Sequence, residues 1–142
     1  MEKTIKLHNK QAEVFDSQKR YVATVCGRQS GKTFLGAVWA LKKINDYPEK
    51  NGLIAAPTYK LLQQSTLDKF FSLFPEFRKF YKQQQGIIEL PTGGKIYIRS
   101  TDEPLGLEGM TLKWAWLDEA GMMNRLVWVI IRARTAIENG QV

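Results

Sequence analysis

Residues 26–33 read Cys-Gly-Arg-Gln-Ser-Gly-Lys-Thr and bring two glycines, a lysine and two hydroxyls into one short segment. Glycine permits backbone conformations in which successive N–H groups turn inward around an anion. The segment fits the pattern G-x-x-x-x-G-K-S/T, which binds nucleotide phosphates, except that Cys26 stands at its first position. We therefore predict that ATP phosphates bind the following residues: Gly27, Arg28, Gln29, Ser30, Gly31, Lys32 and Thr33. Among them, Lys32 would reach the β- and γ-phosphates, and the Thr33 hydroxyl would ligate Mg²⁺.

A second group that could do chemistry is the acidic pair Asp118 and Glu119, which follows the apolar run Trp-Ala-Trp-Leu. In open α/β sheets, ligands bind at the carboxyl ends of the strands, so this pair is expected beside the phosphate-binding segment. We predict that Asp118 holds Mg²⁺ and that Glu119 accepts a proton from the attacking water. Neighbouring side chains on a strand point in opposite directions, so both carboxylates must lie where the strand has ended and the chain turns.

Both groups require strands and helices in alternation to position them. A β-branched run at residues 21–26 predicts a buried strand before the phosphate-binding segment, and apolar residues at helical spacing predict a helix at 32–45. Further strands are predicted at residues 52–56, 87–90, 95–100 and 113–117. Further helices are predicted at residues 7–17, 58–74 and 124–137. Pro91 and the two glycines that follow it predict a hairpin between 87–90 and 95–100, and Thr58 is the expected N-cap of its helix.

This order of elements predicts an α/β fold with a mostly parallel sheet flanked by helices. Together with the phosphate-binding segment, it predicts a P-loop NTPase of the RecA/ASCE-like type, ending after the strand that carries the acidic pair and the helix that follows.

Composition limits the other possibilities. The chain has 142 residues, enough for one domain, and a net charge of +7 from 21 Lys and Arg against 14 Asp and Glu. That charge favours a polyanionic partner such as nucleic acid. One cysteine excludes an internal disulfide, and no apolar run follows Met1 or is long enough to span a bilayer. We therefore expect a cytoplasmic protein without a membrane partner.

Several of these residues carry a resemblance to a known family. It rests on Gln11, the segment from Gly27 to Thr33, Ala-Pro-Thr-Tyr at 56–59, Ile-Arg-Ser at 98–100, Gly109, and Trp-Leu-Asp-Glu-Ala at 116–120. The sequence resembles the ATPase domain of the large terminase subunit of tailed bacteriophages, which pumps DNA into a procapsid. The form Arg-Gln-x-Gly-Lys-Thr with a residue other than Gly at the first position is the most specific element of the resemblance.

The resemblance implies further roles. Gln11 corresponds to a glutamine that contacts adenine, and Arg28 to a loop arginine that reaches the γ-phosphate and stabilises the charge of the transition state. Implied partners are double-stranded DNA bound through its phosphates, the portal and procapsid, the small terminase subunit, and further copies in a ring. A viral chain of this kind would act in the cytoplasm of the bacterial host. Arg99, Arg132 and Arg134 are candidates for contacts with DNA or a neighbouring subunit.

Two departures from the family's pattern stand out. Glu108 occupies the position before Gly109 where many terminases have arginine, so an arginine that acts in trans is not expected from this loop. The coupling motif and the nuclease domain that follow the acidic pair in the family are absent, so residues 1–142 are interpreted as an ATPase domain incomplete at its C-terminus. We expect Leu126, Trp128 and Ile131 to be exposed as a result.

Two other functions remain open from the sequence. One is another nucleic-acid-dependent P-loop ATPase, a helicase or translocase, because Ala-Pro-Thr-Tyr also resembles a helicase motif. The other is a fragment that binds nucleotide without hydrolysing it.

Overall fold

The computed structural model describes residues 4–25 and 31–142. Its α-helices are α1 (Asn9–Asp16), α2 (Lys32–Asp46), α3 (Tyr59–Leu61), α4 (Leu67–Leu73) and α5 (Arg125–Ala136). Its strands are β1 (Gly52–Ala56), β2 (Tyr81–Lys82), β3 (Ile87–Glu89), β4 (Lys95–Ser100) and β5 (Trp114–Leu117). A π-helical turn, Leu62–Thr66, joins α3 to α4, and short 3₁₀ turns lie at Pro75–Phe80, Pro104–Leu107 and Ala120–Met122.

Within the described residues the strands form one five-stranded sheet in the order β2-β3-β4-β1-β5. Strand β1 pairs in parallel with both β4 and β5, whereas β3 pairs antiparallel with β2 and β4. The predicted α/β fold is confirmed, with a mixed sheet in which the parallel strands are β4, β1 and β5. All five residues of β1 are buried, as expected of a central strand covered on both faces.

The two faces of the sheet carry separate apolar clusters. Ile54 of β1 and Trp114 and Trp116 of β5 face α2 and α4, where the aromatic residues of α4 also pack. Leu53 and Ala55 of β1 and Ala115 of β5 face α5. Because successive strand residues point to opposite faces, one short apolar strand supplies both clusters.

Helix α2 lies unusually close to β5. A Cβ atom on Gly36 would meet the Trp116 indole at 2.1 Å, so only glycine permits this approach. The ring of Trp39 packs edge-on against Trp114, with centroids 6.1 Å apart. This packing holds the first turn of α2 next to the carboxyl end of β5.

The strand predicted at residues 21–26 is wrong for the part described here, since residues 21–25 belong to no strand. Gln141 forms a parallel bridge to Trp114 on β5, and Val142 exchanges hydrogen bonds with Arg20 and Val22. Residues 141–142 therefore lie between β5 and the start of the predicted strand. Val25 is 94% exposed, and a β-branched sequence forms a strand only when a neighbour supplies hydrogen bonds and packing.

The helix predictions are confirmed to within a few residues. Thr58 accepts a hydrogen bond from the Leu61 amide and Asn124 accepts one from the Leu126 amide, so both cap their helices. Leu126 and Trp128 are exposed as expected, but Ile131 is fully buried against the sheet, which corrects that part of the prediction. No helix among the described residues has the length and apolar character needed to cross a bilayer.

Candidate functional site

The N-terminus of α2 follows a glycine rather than a residue with a capping side chain. Gly31 stands at the N-cap with φ 80° and ψ 20°, a left-handed conformation that favours glycine, and it supplies no side-chain cap. No acidic residue occupies the first turn, which begins with Lys32 and Thr33. The positive end of the helix dipole makes such a terminus suited to an anion.

The acidic pair follows directly on β5. The Asp118 amide donates to the Ala55 carbonyl at 2.9 Å, which continues the pairing of β5 with β1 for one residue beyond the strand. Glu119 then adopts φ 53° and ψ 41° and begins a 3₁₀ turn. This left-handed residue is where the chain turns, as the sequence predicted for the two adjacent carboxylates. Asp118 is buried and Glu119 is exposed.

Two hydroxyl groups meet the Asp118 carboxylate. Thr33 Oγ1 lies 3.3 Å from both Oδ1 and Oδ2. Thr66 Oγ1 donates to Oδ2 at 2.7 Å. Thr66 was not among the residues that the sequence singled out. The sequence feature that could have identified Thr66 is a hydroxyl-bearing residue within the apolar stripe of the helix predicted at 58–74.

Burial raises the pKa of the Asp118 carboxyl above its ordinary value of 3.8, and the nearby Glu119 carboxylate raises it further. Hydrogen bonds from Thr66, Thr33 and the Glu119 amide act in the opposite direction. A positive charge placed beside the Asp118 carboxyl would lower its pKa again, because such a charge favours the ionised form.

Gln11 approaches the same helix terminus from α1. Its side chain and that of His8 form a reciprocal cap at the start of α1, with contacts of 3.2 and 3.3 Å to each other's amides. The side-chain amide of Gln11 also donates a hydrogen bond from Nε2 to the Gly31 carbonyl, at 3.4 Å. A Cβ atom on Gly31 would lie 2.6 Å from Gln11 Nε2, the far end of a flexible side chain, so glycine is favoured there by the left-handed backbone conformation rather than by lack of space.

The structure thus brings together Gln11 with Gly31, and Thr33 with Asp118. Lys32, Asp118 and Glu119 all line one cavity of about 660 Å³ that runs between β5 and residues 21–25. The predicted phosphate-binding residues Gly27, Arg28, Gln29 and Ser30, and Cys26 beside them, lie outside the described residues.

The candidate metal ligands at this site are oxygen atoms. Within residues 4–25 and 31–142, no cluster of three or more His, Cys, Asp or Glu side chains could hold one. The Thr33 hydroxyl and the Asp118 carboxylate are hard oxygen donors that suit Mg²⁺, which usually keeps several waters and takes its other ligands from a substrate's phosphates. The donor set therefore fits Mg²⁺ bound together with a nucleotide.

The candidate arginines outside this site have structural contacts. Arg99 donates to the carbonyls of Gly86 and Ile98, at 2.6 and 2.9 Å. Arg134 lies 3.9 Å from Glu108, the residue before Gly109. This ion pair links the 104–107 turn region to α5.

Comparison with known proteins places the chain in a family. A model of the family described as "Terminase large subunit, T4likevirus-type, N-terminal" matches residues 24–135. The chain belongs to this family. Its match includes the start of α2, the π-helical turn and the acidic pair, which are the parts that form the site.

Solved structures show the same fold. The ATPase domain of the large terminase of Thermus phage P74-26 superposes with a TM-score of 0.77 at 24% identity, over 96% of this chain and 62% of that one. The large terminase of a thermophilic bacteriophage, solved in complex with ADP, gives a TM-score of 0.77 at 17% identity, over 94% of this chain and 37% of that one. The terminase chain therefore spans less than two thirds of the length of these relatives. A search of curated protein sequences found no match.

Proposed function

We propose that this terminase chain binds and hydrolyses ATP as part of the motor that packages viral DNA. The observation that carries the proposal is the position of Thr33 and Asp118, whose oxygen atoms lie 3.3 Å apart where the first turn of α2 meets the end of β5. Membership of the terminase family supports the motor role. The ADP bound to a structurally similar large terminase supports nucleotide as the ligand.

In this proposal the phosphates bind the N-terminus of α2 and the amides of residues 27–31, with Lys32 on the β- and γ-phosphates. Arg28 contacts the γ-phosphate and stabilises the charge that develops there. Gln11, held near Gly31 by its 3.4 Å hydrogen bond, contacts the adenine. These roles place the base near α1 and the γ-phosphate toward the acidic pair.

Thr33 and Asp118 would hold Mg²⁺, which would neutralise negative charge on the nucleotide phosphates. Glu119 orients a water molecule for attack on the γ-phosphorus and accepts its proton. The new bond joins the water oxygen to phosphorus, the bond to the β,γ-bridging oxygen breaks, and the products are ADP and inorganic phosphate. The exposed, left-handed position of Glu119 leaves its carboxylate at the rim of the site, where water has access.

The test compares phosphate release and nucleotide binding for the purified chain, Lys32→Ala and Glu119→Gln. We expect Glu119→Gln to bind ADP as tightly as the parent chain but to release phosphate at least about 100-fold more slowly, because it removes the general base. Lys32→Ala should weaken binding itself. If all three bind nucleotide equally and none releases phosphate, the alternative of a silent nucleotide-binding fragment is correct. If none binds nucleotide, the proposal fails altogether.

Double-stranded DNA is the proposed partner, bound through its phosphates without regard to sequence. The net charge of +7 supports a polyanionic partner, and the family packages DNA. By the same family argument we propose contacts with the portal, the procapsid and the small terminase subunit, ring assembly, and a location in the bacterial host cytoplasm.

We also propose that residues 1–142 are an ATPase domain completed by one more strand. The cavity between β5 and residues 21–25 supports this, since Gln141 and Val142 already bridge its two walls at one end. A strand continuing from Val142 would pair with both. Hydrogen exchange tests it: a chain extended beyond Val142 should protect the amides of residues 22–25, and equal exchange in the two chains would contradict the idea.

A further inference from the structure

Thr66 is the polar member of a buried apolar surface. Its side chain is 1% exposed, and Leu62, Leu67 and Phe70, which surround it along the helix, are equally inaccessible. A hydroxyl group buried in such a place is costly unless it is hydrogen-bonded. The Thr66 hydroxyl meets this need by donating to Asp118 Oδ2 at 2.7 Å, across 52 residues of sequence. Its environment therefore directs it toward one carboxylate.

The local backbone places it there. Thr66 ends the π-helical turn, in which the Leu67 amide bonds to the Leu62 carbonyl, five residues back. Thr66 and Leu67 beside it are both buried, at 1% and 2% exposure. Such π-turns occur frequently at functional sites.

The two hydroxyls at Asp118 are not equivalent. Thr33 is 3.3 Å from both carboxylate oxygens, so it is not committed to either and its oxygen can turn to another ligand. Thr66 is much closer and is bonded to Oδ2. One oxygen of Asp118 is thus anchored from the α3–α4 side, and Oδ1 stays beside Thr33 at the start of α2.

We propose that Thr66 is a positioning residue, which holds the Asp118 carboxylate in the orientation that binds Mg²⁺ with Thr33. This rests on the proposed function, because it assumes that Asp118 serves a metal–nucleotide complex. Thr66 itself touches neither the metal nor the nucleotide. Its loss leaves nucleotide recognition intact but lets the carboxylate rotate away from the metal.

The test measures ADP affinity by calorimetry without divalent cation and over a range of Mg²⁺ concentrations. Thr66→Val removes the hydroxyl at nearly constant shape, and Thr66→Ser retains it. Thr66→Ala gives a second variant without the hydroxyl should valine prevent folding. Thr135→Val is the matched control, because Thr135 is also fully buried and its hydroxyl bonds to the Ile131 carbonyl within α5.

We expect Thr66→Val to bind ADP normally without Mg²⁺ but to need about tenfold more Mg²⁺ for half-maximal enhancement, as is typical when a partner of a metal ligand is removed. Thr66→Ser and Thr135→Val should behave like the parent chain. An unchanged Mg²⁺ requirement in Thr66→Val, or an equal change in Thr135→Val, would overturn the role of Thr66 while leaving the proposed function in place. A parent chain whose ADP affinity does not respond to Mg²⁺ would overturn both.

Discussion

Gly36 couples the packing of the domain to the geometry of its site. Replacing it with alanine places a Cβ atom 2.1 Å from Trp116 Cε2 and Nε1 and 2.5 Å from Cζ2. Ordinary contact begins near 3.4 Å, so α2 and the indole must separate by about 1.3 Å, the difference between the two distances. Trp116 is 7% exposed and lies two residues before Asp118, which leaves the ring little room to move independently.

The expected loss of stability is modest. Overpacking costs about 1–3 kcal/mol, whereas glycine to alanine within a helix contributes about 1 kcal/mol in the opposite direction. We expect a net destabilisation of about 1 kcal/mol, or a fall in Tm of about 4 °C for a chain of this size.

The expected loss of function is larger. Thr33 starts 3.3 Å from Asp118, so a shift of half the required separation takes the pair beyond hydrogen-bonding distance. Displacements of about 1 Å in a catalytic site can reduce the rate about 100-fold. We therefore expect Gly36→Ala to lose most of its Mg²⁺-dependent ADP affinity and phosphate release while remaining folded.

The assay combines thermal unfolding with calorimetric titration of ADP and Mg²⁺. Gly106→Ala is the control, because a Cβ atom there meets no atom within 4 Å. In Trp116→Leu the clashing ring is absent, so adding Gly36→Ala to that background should cost at least about 1 kcal/mol less than in the parent chain. Additive stability losses, or normal Mg²⁺-dependent binding by Gly36→Ala, would refute the reasoning.

Two further predictions concern charge. Burial raises the pKa of Asp118 in the folded chain above 3.8, so as pH falls the Asp118 carboxylate is protonated in the folded chain before it is protonated in the unfolded chain. Asp118 therefore contributes to the free energy of unfolding at low pH, and this contribution is lost as pH rises through the raised pKa. Asp118→Asn cannot ionise at this position, so its free energy of unfolding relative to that of the parent chain should be greatest at neutral pH and should decline toward pH 3.8. Urea unfolding at several pH values measures this difference, and a difference that does not change with pH would contradict the raised pKa of Asp118. If DNA is held by at least two neutralised phosphates, its affinity should fall at least about tenfold between 50 and 200 mM salt, since the logarithmic slope is about −0.9 per phosphate. Salt-independent binding, measured by fluorescence anisotropy with unrelated duplexes, would exclude this mode.

The local sequence was sufficient to predict the backbone features of the candidate site that are formed by residues adjacent in the chain. Gly31, Lys32 and Thr33 begin α2 as their pattern requires, and the turn after β5 begins at the acidic pair. These features depend on backbone conformations and helix signals that act within a few residues. The predicted strand was wrong for residues 21–25, because pairing depends on a neighbour that local β-propensity cannot supply.

The sequence of this protein determined where the phosphate-binding pattern and the acidic pair stand along the chain and in what order the strands and helices carry them, because motif spacing and hydrophobic periodicity are local properties. Only the tertiary structure decided that Thr66 meets Asp118 and that Gly36 admits Trp116. Thr66 and Asp118 are 52 residues apart, and Gly36 and Trp116 lie on different elements. The π-helical turn and the order in which the strands assemble bring these residues into contact, and both arise from packing over the whole domain.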